Sequence, residues 1–207
     1  MANNTLYARE RVLEIHFQDT TREYVFIALS ARDKEMMLAE AQKIHAGVVK
    51  DLSTVLDTIK SVCQMQDREI LVEGILQGEQ DVFAAKAALT LTGDEQDCRE
   101  KMTAKTEKLL QERRKELSQL DKEQLVTKLA GLEMDRRMQA AWACAVLDAT
   151  LVRVLHDAGR QPLFSSVEKM KATVPADLLE KLYESLLTFL SESGDAQVFL
   201  KPHTFKK

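Results

Sequence analysis

The sequence contains few of the residues that interrupt helices or build sheets. Glycine occurs 7 times and proline 3 times in 207 residues, and aromatic residues make up 5%. Leucine, alanine, glutamate, lysine, glutamine and methionine are abundant, and these residues favour helices. The composition therefore argues against a β-sandwich or barrel and predicts a mainly α protein, a multi-helix bundle.

Cysteine is scarce as well. Cys63, Cys98 and Cys144 are far apart in the chain and form no Cys-x-x-Cys pair. An odd number of isolated cysteines argues against a disulfide framework and indicates a reducing compartment.

Neither sign of charge dominates. The chain has 29 lysines and arginines against 33 aspartates and glutamates, which are interspersed and give a net charge of −4. We expect no nucleic-acid binding, because no broad basic surface is available for a phosphate backbone. We also expect a soluble cytoplasmic protein with no membrane contact, since the densest apolar run, residues 140–147, is too short to span a bilayer and no secretion signal is recognisable.

One stretch carries a strand pattern. Residues 11–17 alternate apolar and polar side chains, and residues 23–29 are rich in β-branched and aromatic ones. Asp19-Thr20-Thr21 separates the two runs as a turn, so a small N-terminal β-hairpin is predicted. A two-stranded ribbon is marginal in water, and it must pack on helices or pair with another chain.

The middle of the chain has helical periodicity. We expect a helix that begins at Ser30 and breaks at Gly47, a second over residues 48–66, and a third that begins at Asp67. A further alanine-rich helix over residues 81–91 completes this part.

The pair Thr92-Gly93 predicts the main domain boundary. It divides the chain into residues 1–93, with the hairpin and the first helices, and a C-terminal helical domain over residues 94–194. Residues 195–207 lose periodicity and are expected to form a flexible tail.

A long helix is predicted from Asp121, a good N-cap residue, to His156. Gly159 is expected to close it in the left-handed conformation, and Pro162 prevents immediate re-entry into helix. With Phe164, these two residues define a structural hinge.

Two shorter helices are predicted after the hinge. Residues 165–168 read Ser-Ser-Val-Glu, a capping box that restarts a short helix. Pro175 suits the first turn of the last helix, which should end at Gly194.

Two apolar faces are candidates for partner binding. Met134, Met138 and Trp142 share one face of the long helix, where they serve either core packing or a groove for a partner helix. Leu186 and Phe189 belong to the apolar stripe of the last helix.

No constellation for chemistry is recognisable. The four histidines lack metal-ligand spacing, and no nucleophile-elbow, dinucleotide-binding or Walker sequence occurs. We therefore predict no catalytic, cofactor or metal site and expect a protein that is not an enzyme.

In the C-terminal half, Ala141-Trp142 is followed by residues 157–164, Asp-Ala-Gly-Arg-Gln-Pro-Leu-Phe, and by residues 178–183, Leu-Leu-Glu-Lys-Leu-Tyr. This series resembles the tail assembly chaperones of long-tailed bacteriophages. In that family a long helix with an aromatic residue leads into a segment Asp-x-Gly-Lys/Arg-x-Pro-Leu-Phe, a short helix and a Leu/Tyr-rich helix. The similarity covers residues 113–193. Residues 31–93 are longer and more helical than the start of those chaperones.

The resemblance implies a role in virion assembly. Such a protein binds the long helical tape measure protein and helps to recruit tail tube subunits in the host cytoplasm, and it is absent from the mature virion. Self-association stays open. The alternatives are a helical adaptor or regulatory protein of bacterial origin that binds a partner protein, and a small helical enzyme whose site short motifs do not reveal.

Overall fold

The computed structural model describes residues 10–17, 20–90 and 96–193. Within these ranges the chain forms seven α-helices and three β-strands. The strands are β1 (Glu10–Phe17), β2 (Thr20–Ile27) and β3 (Leu155–Asp157). The helices are α1 (Ala31–Ser53), α2 (Val55–Gln64), α3 (Arg68–Thr90), α4 (Gln96–Gln119), α5 (Lys122–Val154), α6 (Val167–Thr173) and α7 (Ala176–Ser193). The predicted fold class, mainly α with a small N-terminal β-hairpin, is confirmed.

The hairpin is part of a three-stranded antiparallel sheet with the order β1-β2-β3. β1 pairs with β2 from Glu10 opposite Ile27 to Phe17 opposite Thr20. The second strand therefore begins three residues before the predicted run. Thr20, expected in the turn, belongs to the strand, and Asp19 lies outside the described residues.

The third strand is absent from the sequence prediction. The long helix ends at Val154 and not at His156, because Leu155–Asp157 pairs with Tyr24–Phe26 of β2. Leu155 is fully buried in this position. Burial and pairing with β2 override a local sequence that would continue as helix.

Two predicted helix breaks are wrong. α1 passes through Gly47, where an added Cβ would meet nothing within 4 Å, since a glycine inside a helix costs only about 1 kcal/mol relative to alanine. The helices predicted from Asp67 and over residues 81–91 are one helix, α3.

The contacts divide the chain into two compact units. The sheet unit consists of Met1–Val48 and Gln139–Lys207, and the helical unit consists of Val49–Met138. This division differs from the predicted boundary at residue 93, which lies outside the described residues, as does the predicted tail over 195–207.

The core of the sheet unit forms between the sheet and the last helices. Phe26 of β2 and Phe189 of α7 are both fully buried, with ring centroids 5.5 Å apart. The other buried members of this cluster come from β1, β2, the end of α5, β3, α6 and α7. A second cluster joins Met37 and Ala41 of α1 to the buried alanines of α5.

The core of the helical unit is a leucine-rich cluster from α2 to α5. Leu71, Ile75, Leu117 and Leu125 are fully buried in it. Gly74 lets α3 approach α5 closely, because a Cβ there would lie 3.3 Å from a methyl group of Leu129. Among the described helices, none is long and apolar enough to cross a membrane.

Candidate partner-binding groove

The sheet unit contains a groove of about 840 Å³. One side is the sheet, which contributes Ile15, Arg22, Glu23, Tyr24 and Asp157. The other sides are the segment after β3, with Ala158, Leu163 and Phe164, and the junction of α6 and α7, with Thr173, Val174, Pro175 and Leu178. Most of these side chains are apolar, so the groove is suited to an apolar segment. We call it the sheet groove.

The strand register shows which side chains form the floor of the sheet groove. Tyr24 lies opposite Leu13 on one side and opposite Asp157 on the other. Residues opposite each other project to the same face of a sheet, as do residues two apart in a strand. Ile15, which follows Leu13 on that face, is buried as Tyr24 is. The floor is thus continuous with the core.

A tight turn forms one wall. The amide of Arg160 donates to the carbonyl oxygen of Asp157 at 2.9 Å, and the Asp157 amide donates to the Gln161 carbonyl at 3.0 Å. The Asp157 carboxylate also accepts from the Gln161 amide at 2.8 Å. These bonds reverse the chain directly after β3.

The left-handed residue of this turn is Arg160, with φ 62°, and not Gly159 as predicted. The expectation that Gly159 closes the long helix is wrong, because that helix has already ended at Val154. Arg160 is held by its guanidinium, which donates to the carboxylate of Glu10 at 3.0 Å. That contact ties the turn to the start of β1.

The other two predicted hinge residues lie beside the turn. Pro162 forms a β-bridge with His156, so it continues the edge of the sheet rather than only ending a helix. Phe164 packs partly buried against the core and lines the sheet groove. The three hinge residues are therefore part of one compact structure around residues 155–164.

The opposite wall begins at a capped helix. Ser166 is the N-cap of α6, and its hydroxyl accepts from the amide of Lys169 at 3.3 Å. The predicted serine cap is present at Ser166, but the third residue of α6 is Lys169 rather than a glutamate, so the full capping box predicted over residues 165–168 does not form. Pro175 immediately precedes α7, and its carbonyl accepts from the Leu179 amide at 3.0 Å.

A buried carboxylate joins α5, α6 and α7 within the sheet unit. Asp148 of α5 is almost fully buried and accepts a hydrogen bond from the hydroxyl of Tyr183 in α7. It also forms an ion pair with Lys171 of α6. Burial and this hydrogen bond raise the pKa of Tyr183, so the phenol stays protonated and remains the donor. The contacts fix α6 and α7, which carry one wall of the sheet groove.

Leu186 and Phe189 are not on a binding surface. Leu186 is 0% exposed and Phe189 is 1% exposed, and both belong to the core of the sheet unit. The hypothesis that they form a partner-binding stripe is corrected, because the sheet covers the apolar face of α7. The amphipathic pattern of a helix predicts which of its faces is buried, but it does not predict which element covers that face.

The other predicted face is half-buried. Trp142 lies in the sheet unit, where it packs on the cluster of Met37 and makes an edge-to-face contact with His45 at 5.5 Å. Of the two roles considered for this face, core packing and a groove for a partner helix, the contact of Trp142 with His45 corresponds to core packing. Met134 and Met138 lie in the helical unit and are each partly exposed.

Several groove residues escaped the sequence analysis. Tyr24 and Ile15 were assigned to strands, and Leu178 to the last helix, but nothing in their local sequence indicates that they meet. The motif residues Leu163 and Phe164 were the one available signal, because an apolar pair directly after a proline turn needs something to pack on.

No arrangement for bond-making chemistry stands out in the described ranges. They contain no group of three or more histidine, cysteine, aspartate or glutamate side chains placed to hold a metal ion. Cys63 is buried in the helical unit, and this burial raises the pKa of its thiol. A protonated buried thiol is a poor nucleophile.

The comparisons with known proteins return no relative. The chain matches no protein family, no curated protein and no solved structure.

Proposed function

We propose that the protein is a tail assembly chaperone of a long-tailed bacteriophage. It binds the tape measure protein and helps to recruit tail tube subunits in the host cytoplasm, without a catalytic step and without becoming part of the mature virion. The partner class comes from the resemblance of residues 113–193 to that family.

One observation supports a binding role most directly. The motif that carries the resemblance, residues 157–164, lines the sheet groove through Asp157, Ala158, Leu163 and Phe164. An apolar groove beside fixed backbone turns suits the apolar face of a partner helix. The tape measure protein, as a long helical protein, offers such faces repeatedly.

The test is co-expression with a candidate tape measure protein. We expect the wild type to keep that protein soluble and to co-purify with it. Ala158→Trp should abolish co-purification, because Ala158 is exposed on the groove wall and a tryptophan there fills the space.

The matched control is Ala46→Trp, at an exposed position of α1 that does not line the sheet groove. It should bind as the wild type does. An insoluble tape measure protein in the presence of wild type would contradict the chaperone role, and equal loss with both tryptophan variants would contradict the role of the groove. Mass spectrometry of purified virions should find no copy of the chain.

The bacterial adaptor is the second candidate. The same groove serves it, since nothing in the geometry of the groove is specific for a phage protein. Genome context separates the two, because a tape measure gene beside this one is expected only for the chaperone.

A further inference from the structure

Two neighbouring hydrogen-bond donors of the sheet groove lack a partner. Arg22 and Tyr24 are two residues apart in β2 and both line the groove, so their side chains project to the same face of the sheet. Arg22 is exposed, and its guanidinium forms no ion pair or hydrogen bond with any residue that the structure describes. Arg160 in the turn is held by the carboxylate of Glu10 instead. The groove therefore contains a cation that is available to a ligand.

The hydroxyl of Tyr24 is the second donor. Tyr24 is 6% exposed, and its hydroxyl has no hydrogen-bond partner in the described ranges. This hydroxyl is not sealed in the core, because the one buried side-chain nitrogen or oxygen without a partner in those ranges is Nε of Arg153. Since Tyr24 lines the groove, its hydroxyl is accessible from there. Buried tyrosines usually have a partner for this group, so its absence points to an acceptor that a ligand supplies.

The carboxylates of the groove do not occupy these donors. The side chain of Asp157, which lies opposite Tyr24, accepts from the Gln161 amide at 2.8 Å in the turn. Glu23 lies between the two donors in β2 and projects to the other face of the sheet. A planar guanidinium matches the two oxygens of a carboxylate, and a hydroxyl can add a further hydrogen bond. The two donors together suit a carboxylate beside the apolar floor.

We propose that the sheet groove binds an acidic amphipathic helix, one of whose carboxylate side chains is held by Arg22 and Tyr24. The inference rests on the proposed function of the groove and adds the chemistry of the partner. Apolar side chains of the helix pack on the groove floor, and a glutamate or aspartate beside them accepts from the guanidinium and the phenol. The bound helix shields these hydrogen bonds from solvent, which strengthens them and fixes the position of the helix.

The test titrates the full-length protein with two labelled synthetic peptides. Each is a helix of about 18 residues, or five turns, with leucine on one face. One peptide has glutamate at the positions beside the leucine face, and the other has glutamine there, so the two differ in charge but hardly in size. Fluorescence anisotropy at low ionic strength, where screening is weak, measures both affinities.

We expect the glutamate peptide to bind about tenfold more tightly than the glutamine peptide, because hydrogen bonds to a charged group are the stronger ones. Arg22→Gln should reduce this ratio to about twofold or less, and Arg22→Lys should keep about threefold or more because the charge remains. Tyr24→Phe should lower the ratio to about fivefold or less. Its melting temperature should equal that of the wild type, since the phenol loses no hydrogen bond in the unbound protein.

Two further variants serve as controls. Arg32→Gln removes the same charge at an exposed position of α1 that does not line the groove, and it should leave the ratio as in the wild type. Ala158→Trp should weaken both peptides, because it fills the groove itself.

Four results would overturn the inference: equal affinity for the two peptides, no binding of the glutamate peptide, a full preference for glutamate in Arg22→Gln, or unchanged binding by Ala158→Trp. An unchanged ratio in Tyr24→Phe would overturn the role of the phenol. Each is distinct from failure of the proposed function, which shows as an insoluble tape measure protein in co-expression. If the tape measure protein is kept soluble but the peptides bind equally, the chaperone proposal stands and the carboxylate site falls.

Discussion

The sheet unit and the helical unit bury their side chains in different ways. In the helical unit the core consists of aliphatic residues and Cys63, and its ion pairs lie at the surface. In the sheet unit the core is assembled from distant segments, and it contains all three buried polar residues of the described ranges, His45, Asp148 and Thr150. The sheet unit also contains the sheet groove. The buried polar residues and the candidate site thus both lie in the unit whose core joins segments that are far apart in the sequence.

The largest effect should come from removing a core side chain. Phe189→Ala should cost the sheet unit about 3–5 kcal/mol, because the ring fills a buried site against Phe26. Leu125→Ala should cost the helical unit about 2–5 kcal/mol for the same reason. Hydrogen exchange resolved by peptide is the measurement, with each variant losing protection chiefly in its own unit.

Equal loss of protection in both units from either variant would show that they unfold as one. The two units would then differ in packing but would unfold cooperatively. Loss confined to one unit would make the two units separate elements of stability.

The helical unit was the easier to predict from sequence. Val55, Leu56 and Ile59 recur at helical spacing, and such a stripe indicates a buried face wherever it packs. Asp121 was also recognised as a cap, and its carboxylate does accept from the amide of Gln124 at 2.8 Å. Local signals sufficed there because each helix contributes its own apolar face.

The sheet unit was predicted less well because its pairings are not local. β3 has three residues and follows a helix of 33 residues without any breaker, so only its pairing with β2 identifies it. The sequence places Phe189 in an apolar stripe that is a candidate for partner binding, because the sheet that covers this stripe comes from the other end of the chain. Residues 157–164, which line the groove, were recognisable as a motif in the sequence. The residues of the groove floor can be identified only from the strand register.

The second prediction compares the charged contacts of the two units. Asp148→Asn should cost about 2 kcal/mol, because the buried carboxylate accepts from Tyr183 and pairs with Lys171. Glu79→Gln should cost about 1 kcal/mol or less, since its two hydrogen bonds to Arg113 at 2.9 Å lie partly in solvent. Urea unfolding followed by circular dichroism gives both values.

Added salt sharpens the same test. The cost of Glu79→Gln should shrink in 1 M salt, where the Debye length is about 3 Å, and the cost of Asp148→Asn should change little. The reverse order of salt sensitivity would mean that the carboxylate of Asp148 is in contact with solvent.

The third prediction separates the two residues of the turn after β3. Arg160→Val should destabilise the sheet unit by about 1 kcal/mol or more, because a β-branched residue is strained at φ 62°. Arg160→Lys is the control that keeps the backbone cost and most of the charge opposite Glu10. Gly159→Ala should cost less than Arg160→Val, since its Cβ would meet only the end of the Asp157 side chain, at 3.2 Å. A larger loss of stability from the Gly159 variant than from Arg160→Val would instead support the prediction that Gly159 closes the long helix in the left-handed conformation.

The fourth prediction uses glycines inside helices of the helical unit. Gly131→Ala should stabilise it by about 0.5–1 kcal/mol, because a Cβ there meets nothing within 4 Å and alanine loses less entropy on folding. Gly74→Ala should gain less or lose, because its Cβ would press on Leu129 at 3.3 Å. A full gain at both positions in thermal unfolding would show that α3 and α5 have room to separate.

The smallest effect should come from the two capping boxes, one in each unit. In the sheet unit the Ser30 hydroxyl accepts from the Asp33 amide at 3.2 Å, and the Asp33 carboxylate accepts from the Ser30 amide at 3.2 Å. The hydrogen bond from the Ser30 side chain lowers the pKa of Asp33, so its ionised form stabilises the folded state above the unfolded pKa of about 3.9. This stability, a few tenths to about 1 kcal/mol, is lost as the pH falls through the lower folded value. Asp33→Asn should therefore be less stable than wild type at neutral pH and approach it in acid.

In the helical unit, Gln124→Ala removes the matching acceptor of the Asp121 amide, and because glutamine does not titrate, we expect its cost to vary less with pH. Parallel urea titrations from neutral to acidic pH measure both differences, and an Asp33→Asn difference that persists unchanged in acid would show that the carboxylate of Asp33 does not act through its charge.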